Sequence, residues 1–118
     1  EEKKALLKAL EDVQAMIGHM VGVAMESQEN PKEIYKVGLN TSRLLMATGE
    51  LIIAWLLLRQ ADISQSKLAN AGRDTEFYNG KIASAKFFVR SVLPHISVER
   101  AVVESETGEI MDIAESAF

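Results

Sequence analysis

The sequence predicts an all-α fold: an antiparallel helical bundle of three long helices plus a short C-terminal helix. Apolar residues recur at three- and four-residue steps, and no stretch alternates with the two-residue period of a strand. Only two prolines and seven glycines interrupt the 118 residues. This length suits one domain, residues 1–118, with a single hydrophobic core. We expect that domain to be the C-terminal part of a longer chain.

The charge balance and the missing cysteines exclude several classes of function. The chain carries 17 acidic and 13 basic residues, a net charge of −4, and no cysteine. Phosphate binding needs a basic footprint, so nucleic acid is not an expected partner. Without cysteine there is no disulfide, thiolate nucleophile or cysteine-based zinc site. The charged amphipathic start lacks the apolar region of a signal peptide, and we predict a cytoplasmic location.

The first predicted helix runs from Glu2 to Ser27. One apolar stripe follows it at helical spacing: Leu6, Leu10, Val13, Ile17, Met20 and Ala24. Charged residues are expected on the other faces: Lys4, Lys8, Glu11 and Asp12. Gly18 and Gly22 lie one turn apart. They either let another backbone approach closely or reflect tolerance of glycine at an exposed edge.

The central helix is predicted from Lys32 to Asn70, about 58 Å long at 1.5 Å per residue. Asn30 can cap it, Pro31 suits the first helical position, and Gly72 suits the left-handed terminal position. Its main seam has near-heptad spacing: Ile34, Val37, Thr41, Leu44, Thr48, Leu51, Trp55 and Leu58. A narrow polar or small strip is interpreted as its wet or paired edge: Lys36, Asn40, Arg43, Ala47, Glu50 and Ala54. Gly38 and Gly49 are possible bend points.

The apolar run of this helix is too short to span a membrane. Leu44 to Leu58 is 15 residues long, lies between Arg43 and Arg59, and contains Glu50. A span needs about 20 predominantly apolar residues. We therefore predict a buried central helix with no membrane span.

The third helix is predicted to start at Asp74 or Thr75. One apolar face continues through it: Ile82, Ala85, Val89, Val92, Ile96 and Val103. Pro94 removes a backbone donor, but the phase continues, so we expect a kink there and a helix that reaches Ser105. After a turn at Gly108, a short terminal helix offers apolar side chains for docking: Ile110, Met111, Ile113 and Phe118.

No residue pattern in the chain indicates a catalytic, cofactor-binding or metal site. His19 and His95 are interpreted as surface or interhelical side chains without a carboxylate at metal-ligand spacing. No glycine-rich phosphate loop and no Ser/His/Asp set occurs. Glu50 could be a buried general base, but we favour the interpretation that it lies at the bundle surface or pairs with a neighbouring helix.

Aromatic and basic residues invite ligand-binding interpretations that we do not favour. Trp55 is predicted to pack in the core, as are four aromatic residues of the third helix: Phe77, Tyr78, Phe87 and Phe88. Lys81, Lys86 and Arg90 follow one flank of that helix. They could meet the phosphates of a nucleotide, but a solvated face or interface salt bridges is the favoured reading.

Two stretches, Tyr35–Ile63 and Glu76–Pro94, resemble the C-terminal helical domain appended to certain bacterial acyl-CoA dehydrogenases. The most specific part is an FY-x-G-K element followed by VLP, formed by Phe77, Tyr78, Gly80 and Lys81 and then by Val92, Leu93 and Pro94. The run GELIIAWLLLRQA and the closing AESAF support the resemblance. These are packing motifs, not catalytic signatures.

The resemblance implies an accessory, non-catalytic domain of an FAD-dependent acyl-CoA dehydrogenase, which oxidises an acyl-CoA thioester to the 2-enoyl product. The catalytic glutamate and the flavin site of such enzymes lie upstream, so this segment itself is expected to bind no cofactor. Its implied partners are the upstream dehydrogenase domains and a second copy in a homodimer. A further hypothesis is that the acyl-CoA borders the basic flank.

One alternative from another class remains open. The chain could be a free-standing helical interaction or ligand-binding module with no dehydrogenase attached. An independent hydrolase or lyase has no supporting constellation of residues. Excess apolar surface on the central helix favours a partner, and we predict that the isolated segment self-associates.

Overall fold

The computed structural model describes all 118 residues, Glu1–Phe118. Four α-helices, and no strand, make up the fold: α1 Glu2–Glu26, α2 Ile34–Lys67, α3 Thr75–Ser91 and α4 Pro94–Ser105. Short 3₁₀ turns join and follow them: Pro31–Glu33, Leu68–Asn70, Gly72–Asp74, Glu109–Asp112 and Glu115–Ala117. The all-α prediction is confirmed.

The third predicted helix is broken rather than kinked, which corrects the sequence prediction. It ends at Ser91, and α4 begins at Pro94, so Val92 and Leu93 form a turn. Pro94 has no N–H, and the amides around it bond differently: Leu93 N–H reaches back to Phe88 O at 3.4 Å, and His95 N–H to Val92 O at 3.0 Å. The apolar phase survives because Leu93 and Ile96 are both buried.

The helix boundaries elsewhere match the predictions, but the expected caps do not form. Neither Asn30 nor Asp74 makes a side-chain capping hydrogen bond. Gly72 and Gly108 both have positive φ, at 52° and 76°, as their turn positions required. At Gly108 a Cβ would also lie 3.3 Å from Lys36 Cγ, which is a tight contact.

The predicted terminal helix is also wrong. Residues 109–118 form two 3₁₀ turns, and Ile110, Met111, Ile113 and Phe118 are all exposed. One long-range ion pair holds this tail: Lys32 Nζ donates to Asp112 Oδ1 at 2.8 Å, which raises the pKa of Lys32. The tail is thus tied to the turn between α1 and α2, at one end of the molecule.

The core lies where α1 crosses α2, α3 and α4. Its buried apolar members are mostly small or flexible: Ala9, Val13, Met16, Met20, Ala47, Ala54, Val89, Leu93, Ile96 and Val103. Four residues of the predicted α3–α4 face are buried as expected, namely Ala85, Val89, Ile96 and Val103. A Cβ built at Gly18 or Gly22 would have no neighbouring atom within 4 Å, so no other backbone approaches these glycines. They lie at an edge of α1 where glycine is merely tolerated.

Helix α2 reverses the prediction made for it. Its buried residues come from the strip that was read as the wet edge: Asn40, Ala47 and Ala54, with Ser64 beyond it. We call Asn40, Ala47 and Ala54 the inner line. Of the predicted main seam, Val37, Leu44, Leu51 and Leu58 flank the core, whereas Ile34 and Trp55 are about half exposed. Helices that pack closely leave room only for small side chains along the line of contact.

The molecule is thin and elongated. Its principal extents are 68 × 30 × 17 Å, with a radius of gyration of 19.7 Å. A compact domain of this length has a radius of gyration of about 13.5 Å. Only 15 of the 118 residues are buried. The fold therefore has a core, but one that covers little of its own apolar surface.

Candidate functional site

The most deeply buried charge is Asp12, whose side chain is 1% exposed. It accepts hydrogen bonds from Lys8 Nζ, from Ser97 Oγ at 2.5 Å and from Arg100 NH1 at 3.1 Å. Burial by itself raises the pKa of Asp12, but these three hydrogen bonds outweigh it and hold the pKa below its ordinary value of 3.8. We call these four residues the Asp12 cluster.

The Asp12 cluster joins α1 to α4 and has the properties of a structural lock. A carboxylate that is fully hydrogen-bonded and held ionised is a poor general base. The sequence prediction placed Asp12 and Lys8 on outer faces of the first helix, which is wrong for Asp12. The i,i+4 spacing to Lys8 was visible in the sequence, but Ser97 and Arg100 lie 85 and 88 residues away.

A second charged cluster lies between α2 and α4. Arg43 NH1 donates to Glu99 Oε2 at 2.6 Å. His95 Nε2 lies 3.1 Å from Glu99 Oε1, and its Nδ1 lies 3.7 Å from Glu50 Oε2. Glu50 therefore faces a neighbouring helix, as the favoured interpretation had it.

This cluster corrects the expectation that His95 has no carboxylate at ligand spacing, because Glu99 follows it by one helical turn. The arrangement still does not suit a metal ion. Arg43 neutralises Glu99, and no group of three or more His, Asp or Glu side chains in the molecule could hold a metal. The geometry favours an interhelical ion-pair network.

The predicted basic flank of α3 does not form one surface. Lys81 Nζ points to α2, 3.4 Å from Gln60 Oε1. Arg90 NH2 points to the start of α1, 3.8 Å from Glu1 Oε2 and 3.9 Å from Glu2 Oε1. Two of the three basic residues are thus engaged by neighbouring helices, which agrees with the favoured interpretation of salt bridges.

Much of the surface is formed by large apolar side chains. Twenty-two large hydrophobic residues are exposed, and ten of them lie on α2. Five residues follow one line on α2 at steps of four, three, four and seven: Leu45, Gly49, Ile52, Leu56 and Ile63. We call this line the outer seam. Its four large side chains are 44–70% exposed.

By length and composition alone, the helical stretch Pro31–Asn70 could cross a membrane. An 18-residue window of it has a mean hydropathy of 1.4, and only 11% of that window is buried within the chain. The core helix of a soluble protein would be mostly buried. The sequence prediction of a buried central helix is therefore wrong for this chain taken alone, and its outer side requires some other cover.

An apolar groove lies beside the outer seam, between α1 and α2. Six apolar side chains line it: Leu6, Leu7, Leu10, Leu51, Ile52 and Trp55. Its volume is ≈ 260 Å³. At the rim the Arg59 guanidinium lies 5.2 Å from the centroid of the Trp55 ring. Trp55 is 48% exposed, so the prediction that it packs in the core is corrected: it forms the wall of an open groove.

The aromatic residues of α3 divide between core and surface. Phe88 packs against the core, as predicted. Phe77 and Phe87 are 61% and 69% exposed, so the core prediction is wrong for both. Sequence periodicity identifies apolar faces but cannot say whether the neighbour that covers each face belongs to the same chain.

Comparisons with known proteins match this chain to one part of longer proteins. A family model described as Acetyl-CoA dehydrogenase C-terminal like matches residues 1–114. The chain is 42% identical over 119 residues to the broad-specificity linear acyl-CoA dehydrogenase FadE5 of Mycobacterium tuberculosis, covering 99% of this chain and 20% of that protein. It is 38% identical over 86 residues to a butyryl-CoA dehydrogenase of Syntrophomonas wolfei, covering 70% of this chain and 14% of that protein. A second butyryl-CoA dehydrogenase of Syntrophomonas wolfei is 37% identical over 84 residues, covering 68% and 14%.

Proposed function

The chain belongs to the acetyl-CoA dehydrogenase C-terminal-like family, and from that premise we propose that it is the accessory, non-catalytic C-terminal domain of an FAD-dependent acyl-CoA dehydrogenase. The observation that carries the proposal is the uncovered apolar surface of α2. The chain spans 20% of the length of FadE5 and 14% of the two butyryl-CoA dehydrogenases. A domain of this size with this surface is suited to packing on a larger body.

We propose that the apolar surface packs on the core enzyme and supports a homodimer. A single α2 side chain such as Leu45, 70% exposed, gains about 1.5–3 kcal/mol when a partner fully buries it. Several such residues on one helix favour association strongly, even after the cost of immobilising two bodies. The buried Asp12 cluster holds α4 to α1, the more exposed Arg43–Glu99 pair holds α4 to α2, and both leave the outer face for the partner.

The residues of this segment do not fit a flavin. The six side chains that line the apolar groove include no charged group for the pyrophosphate of FAD, and their only polar group is the indole N–H of Trp55. A more polar depression between α1, α2 and α4 contains Glu26, Glu104 and Glu106 against one basic residue, Lys36, and would repel phosphates. We therefore propose that FAD is bound by other parts of the parent enzyme, and that this chain supplies no group to the redox chemistry.

Dehydrogenase assays on the full-length protein, with and without this segment, test the proposal. We expect the intact protein to oxidise acyl-CoA substrates, and the truncated protein to lose assembly and stability before it loses the flavin. A coding sequence without a dehydrogenase upstream of Glu1 would contradict the proposal. It would favour the alternative, a free-standing interaction module, for which the apolar groove is the binding surface to examine.

We also propose that acyl-CoA passes close to the exposed basic residues of α3. Lys86 is exposed. The pKa of Glu2 is lowered mainly by its backbone hydrogen bond, which acts against the raising effect of burial, and further by the N-terminus, Lys86 and Arg90. Arg90 is engaged by Glu1 and Glu2, whereas Lys86 makes no salt bridge, so the Lys86 ammonium is the group proposed to attract an anionic ligand. Charge reversal at Lys86 and Arg90 in the full-length enzyme is expected to raise the apparent KM for acyl-CoA. Unchanged KM in an assembled enzyme removes this part of the proposal.

A cytoplasmic location without a membrane span is part of the same proposal. Protein rather than lipid is proposed to cover α2, because Glu50, Arg43 and Arg59 interrupt or flank its apolar run and Glu50 meets His95 of α4. After cell lysis without detergent, the full-length protein is expected in the soluble fraction. Recovery only from the membrane pellet would contradict this.

A further inference from the structure

A small cleft between α2 and α4 contains the second charged cluster, formed by Arg43, Glu50, His95 and Glu99, which we call the His95 cluster. Every residue that lines the cleft belongs to one of these two helices, and its volume is ≈ 260 Å³. The side chains of Glu50 and Glu99 are only 21% and 15% exposed. Two carboxylates that face one narrow space disfavour each other's charge unless cations lie between them.

His95 lies between the two carboxylates and offers one ring nitrogen to each. Its Nε2 lies 3.1 Å from Glu99 Oε1, and its Nδ1 lies 3.7 Å from Glu50 Oε2. That oxygen of Glu50 is buried and has no hydrogen-bond partner. Because a buried acceptor without a donor is costly, the cluster is incomplete at this one atom.

Only a protonated His95 ring can donate to both carboxylates. Neutral imidazole has one N–H and one bare nitrogen in either tautomer, so one carboxylate oxygen then faces a lone pair. Imidazolium has an N–H on both nitrogens. Protonation therefore supplies the donor that Glu50 lacks. It also balances the charges of the cluster, because two carboxylates then face two cations, Arg43 and His95.

We propose that a proton on His95 closes the contact between the first turn of α4 and α2. The 3.7 Å between Nδ1 and the Glu50 oxygen is too long for a hydrogen bond and has to shorten by about 0.8 Å to become one. Histidine side chains exchange their proton between about pH 5 and 8. The stabilising contact is thus present on the acid side of this range and is lost as the pH rises.

The other charges packed against α4 do not replace the two carboxylates in this role. Arg43 faces His95 from α2 and opposes a second cation, but it is bound to the other oxygen of Glu99 at 2.6 Å. From α1 the Asp12 cluster meets α4 with one excess positive charge, which Glu104 offsets by pairing with Arg100. Helix α3 contributes no residue to the cleft. No other carboxylate lies within 4 Å of a His95 nitrogen.

Hydrogen exchange of the full-length protein, analysed peptide by peptide with mass spectrometry, measures this contact. After correction for the intrinsic exchange rate, the amides of α4 are expected to open about fivefold less at pH 6 than at pH 8. Analysis by peptide separates α4 from histidines elsewhere in the full-length protein. The measurement is independent of the proposed function, because it concerns a contact within this chain.

Three substitutions identify the groups that hold the proton. His95→Gln keeps a donor and an acceptor but binds no proton, so the ratio between the two pH values is expected to fall to about one. Glu50→Gln keeps the shape of the side chain but removes its charge, and the ratio is expected to fall below about twofold. His19→Gln changes the other histidine of the chain and is the matched control, which should keep the wild-type ratio.

Two results would overturn the inference. Equal opening of α4 at pH 6 and pH 8 in the wild type would mean that no proton closes the contact. A wild-type ratio in Glu50→Gln would mean that Glu99 alone holds the proton and that His95 does not bridge the two helices.

Discussion

On α2, small and polar residues face the interior of the bundle and large apolar residues face outward. This is the reverse of the usual pattern, in which large apolar residues are buried. The inner line consists of Asn40, Ala47 and Ala54, each at most 2% exposed. The outer seam on the same helix contains Leu45, Ile52 and Leu56, each at least 44% exposed. Small and polar residues are inside because the neighbouring helices come close, and large apolar residues are outside because nothing in this chain reaches them.

The difference shows that an apolar face predicts a contact but does not show whether the contacting surface belongs to the same chain. Asn40 tolerates burial in part because its Nδ2 donates to Lys36 O at 3.0 Å on its own helix, although its Oδ1 has no hydrogen-bond partner. Leu45 is exposed although it is larger and more apolar. A helix that is apolar all round is typical of the core of a large protein or of a membrane span.

The largest expected effect comes from breaking the buried charge of the interior. Asp12→Asn keeps the shape of the side chain but removes the charge that Lys8 and Arg100 neutralise and to which Ser97 donates a hydrogen bond. We expect a loss of about 2–3 kcal/mol in the free energy of unfolding, measured by urea denaturation. Glu11→Gln, at the exposed neighbouring position, is the control and should change that free energy by less than about 0.5 kcal/mol. Equal effects of the two substitutions would mean that the Asp12 cluster does not lock α1 to α4.

The next effect tests whether the inner line is a true close contact. Ala54 is 0% exposed, so Ala54→Leu forces extra atoms between packed helices and should cost about 1–3 kcal/mol of unfolding free energy. The matched substitution Ile53→Leu, at an exposed neighbour, should be almost neutral. If both were neutral in thermal or urea unfolding, the helices would not meet at Ala54.

Acid should weaken the interior and leave the outer seam unaffected. The pKa of Asp12 is lowered in the folded chain, so the folded state binds fewer protons than the unfolded state. Its contribution to stability is fully present above the ordinary pKa of 3.8 and is lost as pH falls through the lower folded pKa. Urea midpoints measured from pH 6 downward should fall in the wild type and fall less in Asp12→Asn. Parallel curves for the two proteins would assign the acid sensitivity to other carboxylates.

The smallest effect on folding is expected on the outer seam, where the effect on association is large. Leu45→Ser should change the unfolding free energy by less than about 0.5 kcal/mol, because the side chain is 70% exposed. The isolated wild-type segment is expected to self-associate, and the variant to do so less, by analytical sedimentation. A heat-stable wild-type monomer at micromolar concentration would show that the seam needs no partner.

Sequence periodicity was sufficient to predict where the helices lie in the chain, but not which residues of other helices they contact. The boundaries of α1 and α2 followed from apolar spacing, Pro31 and Gly72, which act locally. The break at Val92–Leu93 could not be separated from a kink, since the choice depends on where α1 passes. Asp12 could not be placed inside, because its partners Ser97 and Arg100 are distant in the chain.

The candidate surface was anticipated only as an excess of apolar residues on the central helix. The sequence indicated that α2 is apolar on several faces, but it assigned the covered face to the seam that contains Trp55. Which face is covered depends on the close approach allowed by Ala47 and Ala54, a property of the packed bundle. The proposed parent enzyme came from family resemblance alone, because no residue of this segment indicates it by its chemistry.

The turn at Val92–Leu93 fixes the rotation of α4 relative to α3, and both helices pack against α1. Leu93 is 3% exposed and anchors the turn, while α3 and α4 both contact α1. Adding or removing one residue in this turn would rotate α4 by about 100° relative to α3. Ser97 and Arg100 would then face away from Asp12, although every helix would keep its sequence and length. The number of residues in this turn, more than their identity, therefore determines whether α3 and α4 can both present their buried faces to α1.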